Sequence, residues 1–342
     1  MKREKKRTFW VIVGLFLLTI VLFAISIFVG SVNIPISGVI DILSGQEGAR
    51  SSWGSIIMNS RLPMTITALL AGSSLAVSGL LMQTMFRNPL AGPSVLGVSS
   101  GASLGVAIVI LLAGGFLGQY AFMGNLSIIV AALLGAGAVI LLLLFLAARV
   151  GNNVVLLIIG LMIGYAVSSM VNILQYFAVD EDLHAYVIWG MGSFSHVGWN
   201  NMPLFGATLA ITLASSVLLM KPLNMMLLGD NYARNLGLNM KRSRVVVISL
   251  AGIMAAVVTA FCGPIAFVGI AVPHIARNLF QSNDHKIILP GVILAGASFA
   301  ILCSIISRLP GVQGALPVNA ISSLIGAPIV IWVIIRKRKR NS

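Results

Sequence analysis

Residues 220–244 read MKPLNMMLLGDNYARNLGLNMKRSR and form the longest polar interruption in the second half of an otherwise apolar chain. The stretch contains one acid, Asp230, and five basic residues, which are Lys221, Arg234, Lys241, Arg242 and Arg244. Long apolar segments flank it on both sides. A loop between apolar segments with this excess of lysine and arginine is expected on the cytoplasmic side of a membrane.

The first part of this stretch has the spacing of a short helix. Leu223, Met226 and Leu227 follow the i, i+3, i+4 pattern of one helix face. Gly229 can end that helix. The apolar face is open to two interpretations, which are a docking surface for a partner and a linker that packs on the protein itself.

The second part of the stretch predicts another short helix. Asp230 is a suitable N-cap, Ala233 and Leu236 share one face, and Gly237 can occupy the C′ position. We expect both helices to lie on the cytoplasmic surface, each exposing a few apolar side chains.

Composition indicates the class of protein. Hydrophobic residues make up 58% and charged residues 9% of the 342 residues, whereas soluble proteins have about 25% charged residues. Apolar runs of roughly 20 residues recur, and each can cross a bilayer core of about 30 Å. We therefore predict an all-α polytopic membrane protein with a single transmembrane domain over residues 1–342.

Lysine and arginine are distributed unevenly about the predicted membrane. Only Arg50, Arg61 and Arg308, of 22 such residues, fall on the predicted outer side. The other 19 are Lys2, Arg3, Lys5, Lys6, Arg7, Arg87, Arg149, the five in residues 220–244, Arg277, Lys286 and the five in residues 336–340. This bias follows the positive-inside rule, so the net charge of +14 indicates membrane lipid rather than nucleic acid as a partner. It places both termini in the cytoplasm and requires an even number of spans.

About ten spans satisfy that requirement. We predict them near residues 9–29, 61–85, 95–112, 126–146, 154–176, 204–219, 245–262, 265–280, 287–306 and 316–335. Gly263 and Pro264 should break the helix between the seventh and eighth spans. Gly97, Gly101 and Gly105 place small residues on one face of the third span, which favours close helix packing or the lining of a pathway.

Residues needed for several other functions are missing. All eight acids map to loops or span ends, whereas ion-driven carriers usually keep an ionisable group inside the membrane. No Gly-Lys pair exists, so no Walker loop for ATP is present. The four histidines are scattered and the two cysteines lie in apolar surroundings, so we expect no metal, cofactor or catalytic site. An ion-coupled secondary transporter and a membrane-embedded enzyme are the alternatives to a transport protein driven by an external motor.

Several motifs, in order along almost the whole chain, resemble the permease family of ABC importers for iron-siderophores, haem and cobalamin. They are Arg61-Leu62-Pro63, LAVSGLLMQTMFRNPLAGP at 75–93, LGVSSGA at 96–102, NMMLLGDNYARNLG at 224–237, GPIAFVGIAVPHIAR at 263–277, Leu316-Pro317-Val318 and LIGAP at 324–328. The resemblance implies a permease subunit in the cytoplasmic (inner) membrane. It also implies a second permease copy or paralogue, two ABC ATPase subunits that hydrolyse ATP, and an extracytoplasmic substrate-binding protein.

The resemblance further implies roles for particular residues. It makes the two short helices of residues 220–244 the coupling helices that contact the ATPases, through Leu223, Asn224, Met226, Leu227, Gly229, Ala233, Leu236 and Gly237. It assigns Arg61 and Arg308 to binding-protein docking, with contact to lipid headgroups as the alternative. It assigns Asn88, Leu90, Asn152 and Asn153 to a cytoplasmic gate, although capping and turn chemistry explain asparagine there equally well. A ferric siderophore is the first expected substrate, and cobalamin or haem the second.

Overall fold

A computed structural model describes residues 2–30, 32–44, 51–112, 124–309 and 315–341, and every regular element in these ranges is helical. The first half contains α1 Lys2–Phe28, α2 Ile36–Leu43, α3 Ser51–Ile56, a π-helical turn Ile57–Arg61, α4 Leu62–Phe86, a 3₁₀ turn Pro93–Leu96, α5 Val98–Ala107, a second π-helical turn Ile108–Leu112, α6 Gly124–Arg149 and α7 Asn153–Phe177. The second half contains α8 Asp180–Gly190, a 3₁₀ turn Phe194–His196, α9 Met202–Leu218, α10 Met220–Leu227, α11 Asp230–Asn235, α12 Met240–Cys262, α13 Val268–Phe280, α14 His285–Ser307 and α15 Val318–Asn341. The predicted all-α class is confirmed.

Six helices in the described ranges are long and apolar enough to cross a membrane. They are Lys6–Phe28, Ser52–Phe86, Leu126–Arg149, Asn153–Phe177, Met240–Cys262 and His285–Ser307. The pair α9 and α10 also qualifies if taken together, with a bend of 54° between them, and Val98–Leu112 and Val318–Trp332 are shorter apolar helices. A helix therefore lies at each of the predicted spans, while the number ten and the orientation of the termini stay predictions.

Helix α4 is the most enclosed of the long helices. Of the most apolar stretch in Ser52–Phe86, 83% is buried, and α4 packs against α12, α13 and α14. Most of its side chains are buried, and these include serine and threonine hydroxyls that donate to carbonyls within the protein. A helix enclosed to this extent lies at the centre of the bundle.

Paired small residues bring α4 into backbone contact with its neighbours. A Cβ on Gly79 would overlap the carbonyl group of Gly269 in α13. A Cβ on Gly72 would overlap the carbonyl group of Gly296 in α14. Glycine at both sides of a crossing is what allows two helix backbones to approach this closely.

The glycine stripe of the third span also serves helix packing. Cβ atoms on Gly101 and Gly105 would overlap the backbones of Gly135 and Ala131 in α6. The helix-packing interpretation of this stripe is therefore confirmed. Gly97 precedes α5 with a φ of +75° that favours glycine, and it lies against the backbone of Gly164 in α7.

The predicted break after the seventh span is confirmed. Helix α12 ends at Cys262, and α13 begins at Val268. The irregular backbone between them is tied to other elements, because Ser193 N–H donates to the Cys262 carbonyl at 2.7 Å and Ala266 N–H donates to Asn319 Oδ1 at 3.0 Å. These bonds satisfy polar groups that a broken helix leaves without partners.

Candidate functional site

The basic segment contains two short helices, as predicted. Helix α10 continues from α9 after the 54° bend, and α11 follows it. Gly229 between them has a φ of +107°, and Gly237 after α11 has a φ of +86°. Both glycines occupy backbone conformations that an L side chain rarely adopts, which explains glycine at the ends of the two helices.

The predicted exposure of the apolar face is wrong for three residues. Leu223 and Ala233 are fully buried and Met226 is 2% exposed. They are buried because α10 packs against α4 and α14, and α11 packs against α12. The apolar face that contains them is therefore covered by the rest of the chain. For these side chains the packing interpretation holds.

A different set of apolar side chains faces outward. Leu227 and Leu236 are exposed as predicted, the latter by 56%. The sequence pattern did not single out Leu228 and Tyr232, which are 61% and 69% exposed. We call Leu227, Leu228, Tyr232 and Leu236 the apolar ridge. Four exposed apolar side chains within ten residues are a concentration of the kind found at protein interaction sites.

Asn224 anchors the helix pair to the long helices. Its Nδ2 donates to Asp284 Oδ1 at 2.7 Å, and its Oδ1 accepts from the backbone N–H of His285 at 2.9 Å. The Asn224 Oδ1 also lies 2.7 Å from His285 Nδ1. Because an amide oxygen can only accept, His285 carries its proton on Nδ1 in this arrangement.

His285 extends the anchor into α4. Its Nε2 lies 2.9 Å from Thr84 Oγ1, and all three side chains are buried or partly buried. A hydrogen-bonded path therefore runs from α10, through the start of α14, to the last turn of α4. The sequence pattern missed Asp284 and His285; the only available signal was an acid followed by histidine at the start of a span.

Asp284 also caps α14. Its carboxylate accepts from the backbone N–H of Lys286 at 3.0 Å. That hydrogen bond is the main reason why the pKa of Asp284 lies below its usual value, with a smaller lowering from Asn224 and a partial opposing effect of burial. The carboxylate is therefore ionised at neutral pH.

Asp230 has a role other than the predicted N-cap. The N-cap position belongs to Gly229, and Asp230 is the first residue of α11. Its two carboxylate oxygens pair with Arg87 at 3.0 Å and with Arg244 at 2.8 Å. Arg87 ends α4 and the buried Arg244 belongs to α12, so Asp230 joins α11 to two long helices. The ion pairs, rather than capping, explain its position.

The two predicted gate segments lie close to each other at the end of α4. Asn88 Oδ1 accepts from Leu90 N–H at 2.9 Å, and Asn152 Oδ1 accepts from Val154 N–H at 2.8 Å, so both asparagines do the turn and capping chemistry. Asn153 Nδ2 donates to the Met85 carbonyl at 2.9 Å. This contact joins the start of α7 to the last turn of α4, three residues before Asn88.

His274 fixes the same turn from the other side. Its Nε2 lies 2.9 Å from the Pro89 carbonyl oxygen. Leu90 is 45% exposed, whereas Asn153 is buried with one side-chain oxygen that lacks a partner among the described residues. The turn after α4 is thus held by α13 while its tip stays accessible, and α7 is bonded to the last turn of α4 just before it.

Arg61 and Arg308, the two arginines assigned to docking, are buried. Arg61 is 3% and Arg308 is 6% exposed. Arg61 Nη1 donates to the carbonyls of Ile27 and Phe28 at 2.9 and 2.8 Å, so it satisfies carbonyl groups left over at the end of α1. Both guanidiniums donate to groups inside the chain, and the docking role assigned to these two arginines stays a prediction.

Arg308 also bonds to the end of α1. Its Nη2 donates to Ser26 Oγ at 2.8 Å and its Nε donates to the Ser304 carbonyl at 3.1 Å. Burial lowers the pKa of Arg308 to about 10, and the nearby charge of Arg61 adds to the lowering. The two arginines therefore connect α1, the start of α4 and the end of α14 as hydrogen-bond donors.

The described residues contain no group of three or more histidine, cysteine, aspartate or glutamate side chains placed to hold a metal ion. The polar side chains of Asn224 and Asp230 form contacts between helices, and these contacts connect α10 and α11 to α4, α12 and α14.

Comparison with known proteins finds relatives that are all described as transport proteins. A family model described as the FecCD transport family matches residues 18–336. The vitamin B12 import system permease protein BtuC of Escherichia coli O9:H4 (strain HS) is 37% identical over 279 residues, which cover 82% of this chain and 83% of the relative. The BtuC of Shigella flexneri is 38% identical over 276 residues, covering 81% of this chain and 82% of the relative.

A solved structure agrees with the sequence relatives. It is described as a metal-chelate type ABC transporter in an inward-facing conformation and aligns with a TM-score of 0.83 at 28% identity. The alignment covers 95% of this chain and 98% of that chain. The likeness therefore extends over nearly the whole helical bundle.

Proposed function

This chain belongs to the FecCD transport family, and from that premise we propose that it is the membrane-spanning permease subunit of an ATP-driven importer for a metal chelate. The observation that carries the proposal is the helix pair α10 and α11, which is anchored inward by Asn224 and Asp230 and presents the apolar ridge outward. An ATPase that drives transport must contact an exposed surface of the permease, and that surface must be connected to the membrane-spanning helices. The helix pair meets both requirements.

The proposed partners follow from the family and from the surfaces of the chain. Two ABC ATPase subunits contact the apolar ridge on the cytoplasmic side, and a substrate-binding protein docks on the opposite face. A second copy of this chain, or a paralogue, completes the pathway. Helices α7 and α1, with 22% and 17% of their most apolar stretches buried, leave apolar surface for a second copy or for lipid.

Coupling is proposed to run through the anchored helices. When the ATPases close, they move α10 and α11, and the hydrogen bonds of Asn224 and Asp230 pass the movement to α4, α12 and α14. The turn at Asn88 and Leu90, together with Asn152 and Asn153 at the start of α7, is the cytoplasmic gate in this proposal. Its contacts with the ends of α4, α7 and α13 place it next to the elements that would move.

The proposed substrate class is a large, hydrophilic metal chelate. Ferric siderophores and cobalamin, which is itself a cobalt chelate, are the two members to compare first. The relatives named for vitamin B12 import and the structure of a metal-chelate transporter support the class. Haem is a third substrate for the same assay.

The test is transport by a reconstituted complex. The chain is purified together with its proposed ATPase and binding-protein partners, and uptake of labelled ferric chelate and labelled cobalamin is measured in vesicles. We expect ATP-dependent uptake of one of them only when all components are present, and no ATP hydrolysis by the chain alone. Uptake by vesicles that contain this chain alone, driven by a sodium or proton gradient, would contradict the proposal and favour a secondary transporter.

A further inference from the structure

A crevice of about 330 Å³ opens between the end of α6 and the start of α12, next to the basic residues of segment 220–244. Lys241 and Arg242 line one end of it, and Ala148, Val245 and Val246 line the rest. Val245 lies four residues after Lys241, which is about 6 Å further along the helix. The crevice thus combines two cations with an apolar continuation toward the body of two candidate membrane spans.

Neither cation is used by the fold. Lys241 and Arg242 are exposed, and no described residue forms an ion pair with them or accepts a hydrogen bond from their side chains. Arg244, one half-turn further on, is buried and paired with Asp230. Asp230 is also paired with Arg87, so the nearest acid in the sequence is engaged elsewhere and the crevice keeps its positive charge.

The apolar part of the crevice is also without a protein partner. Val245 and Val246 are 38% and 42% exposed, and Ala148 at the end of α6 is exposed too. Both α6 and α12 are long and apolar enough to cross a membrane, so side chains in their last and first turns lie where headgroups meet acyl chains. An occupant of this crevice must therefore be anionic at one end and apolar at the other.

We propose that the crevice binds one anionic phospholipid, with its phosphate between Lys241 and Arg242 and an acyl chain along Val245, Val246 and Ala148. Basic pockets between membrane-spanning helices at the cytoplasmic side are suited to anionic headgroups. A zwitterionic phospholipid has no net charge to match the two cations. A soluble phosphate ester satisfies the cations and leaves the valines uncovered. This inference depends on α6 and α12 crossing the membrane, and it is independent of which substrate is transported.

The test is lipid retention, measured by native mass spectrometry of the purified full chain. The probes are phosphatidylglycerol, phosphatidylcholine with the same acyl chains, and glycerol phosphate as the soluble headgroup. The variant Lys241→Gln/Arg242→Gln removes the two cations. The control Lys221→Gln/Arg234→Gln removes the same charge from exposed positions on the same face. Because all four side chains are exposed, thermal unfolding should be unchanged in both variants.

We expect the wild-type chain and the control to retain one phosphatidylglycerol, and the double variant to bind it roughly thirty-fold more weakly. Val245→Ser/Val246→Ser should also weaken retention, because it makes the acyl-chain part polar. Equal retention of phosphatidylcholine, or equal affinity of the double variant and the control, would overturn the proposal. So would tight binding of glycerol phosphate that the valine variant leaves unchanged, since that identifies a soluble-anion site. Loss of ATPase binding by the double variant with lipid retention intact would assign the two cations to a protein interface instead.

Discussion

Asn224 holds both the backbone and the side chain of His285, since its Oδ1 lies 2.9 Å from the His285 amide nitrogen and 2.7 Å from Nδ1. The two residues are 61 positions apart and belong to different helices. Their contact is therefore a tertiary link between a short surface helix and a long helix of the bundle. In the proposed importer, it lies on the path by which movement of α10 reaches α14 and α4.

Asn224→Ala should uncouple ATP hydrolysis from transport. The substitution leaves the donors of His285 and the carboxylate of Asp284 without their partner, which costs about 1–3 kcal/mol of stability when such groups are buried. We expect uptake per ATP hydrolysed to fall severalfold in the reconstituted complex. Asn231→Ala is the matched control, because Asn231 is exposed on α11 and its side chain forms no hydrogen bond with a described residue. Equal coupling ratios in the two variants would remove Asn224 from the path.

The apolar ridge and the buried face of α10 should respond differently to truncation. Leu236→Ala should leave the unfolding temperature unchanged and weaken the association with the ATPase, since Leu236 is exposed. Leu223→Ala should instead lower the free energy of unfolding by about 2–5 kcal/mol, because it leaves a cavity. Thermal unfolding and ATPase pull-down of both variants check this. A ridge variant with full ATPase affinity would argue against the ridge as the contact.

Gly79→Ala should destabilise the bundle. Its new methyl group would overlap the Gly269 carbonyl, and relieving such overlaps by backbone shifts costs about 1–3 kcal/mol. Gly137→Ala in α6 is the control, because nothing lies within 4 Å of the position where its methyl group would go. Removing that helical glycine should be neutral or stabilising by up to about 1 kcal/mol. Chemical denaturation in detergent measures both, and equal effects would contradict the close contact of α4 and α13.

Arg61→Met should loosen the end of α1. Hydrogen bonds from a charged donor contribute about 1.5–3 kcal/mol, and Arg61 satisfies carbonyls of α1 that otherwise lose their partner. We expect a loss of at least that size, and Arg61→Lys should not restore it, because an ammonium lacks the planar fork. Arg234→Gln, at an exposed position, should have little effect on unfolding. Full stability of Arg61→Met with weaker binding-protein docking would return Arg61 to its predicted role.

Acid should weaken the start of α14 through Asp284. The pKa of this carboxylate is lowered in the folded chain, so its charge contributes stability above the unfolded pKa of about 4, and that contribution is lost as pH falls through the folded value. Asp284→Asn keeps a capping side chain and removes the charge. Its stability should therefore change less than that of the wild type between about pH 5 and more acidic conditions. Parallel acid profiles for the two chains would contradict this.

The sequence could predict the helices because each is encoded locally. Apolar runs, the Gly263-Pro264 break and the positive-φ glycines at 229 and 237 depend on near neighbours, and the structure places these features as expected. The glycine stripe of α5 also indicated close packing, although only the structure shows that α6 is its partner.

The direction in which a side chain faces could not be predicted in the same way. A three-residue apolar stripe such as that of Leu223 has the same sequence pattern whether it packs inside the chain or binds a partner protein. Arg61 is basic although it lies on the predicted outer side. The structure explains it by a hydrogen bond to the Phe28 carbonyl at the end of α1, 33 residues away in sequence. Contacts of this kind, like that of Asn224 with His285, depend on how distant segments come together.

The contact of Gly79 with Gly269 has a mechanical consequence. With backbone against backbone and no flexible side chain between them, α4 and α13 have no room to slide or rotate past each other. We expect a displacement of one of these helices to displace the other. We therefore expect the two helices to move together in the proposed transport cycle, with the larger rearrangements at the bend before α10 and in the turn after α4.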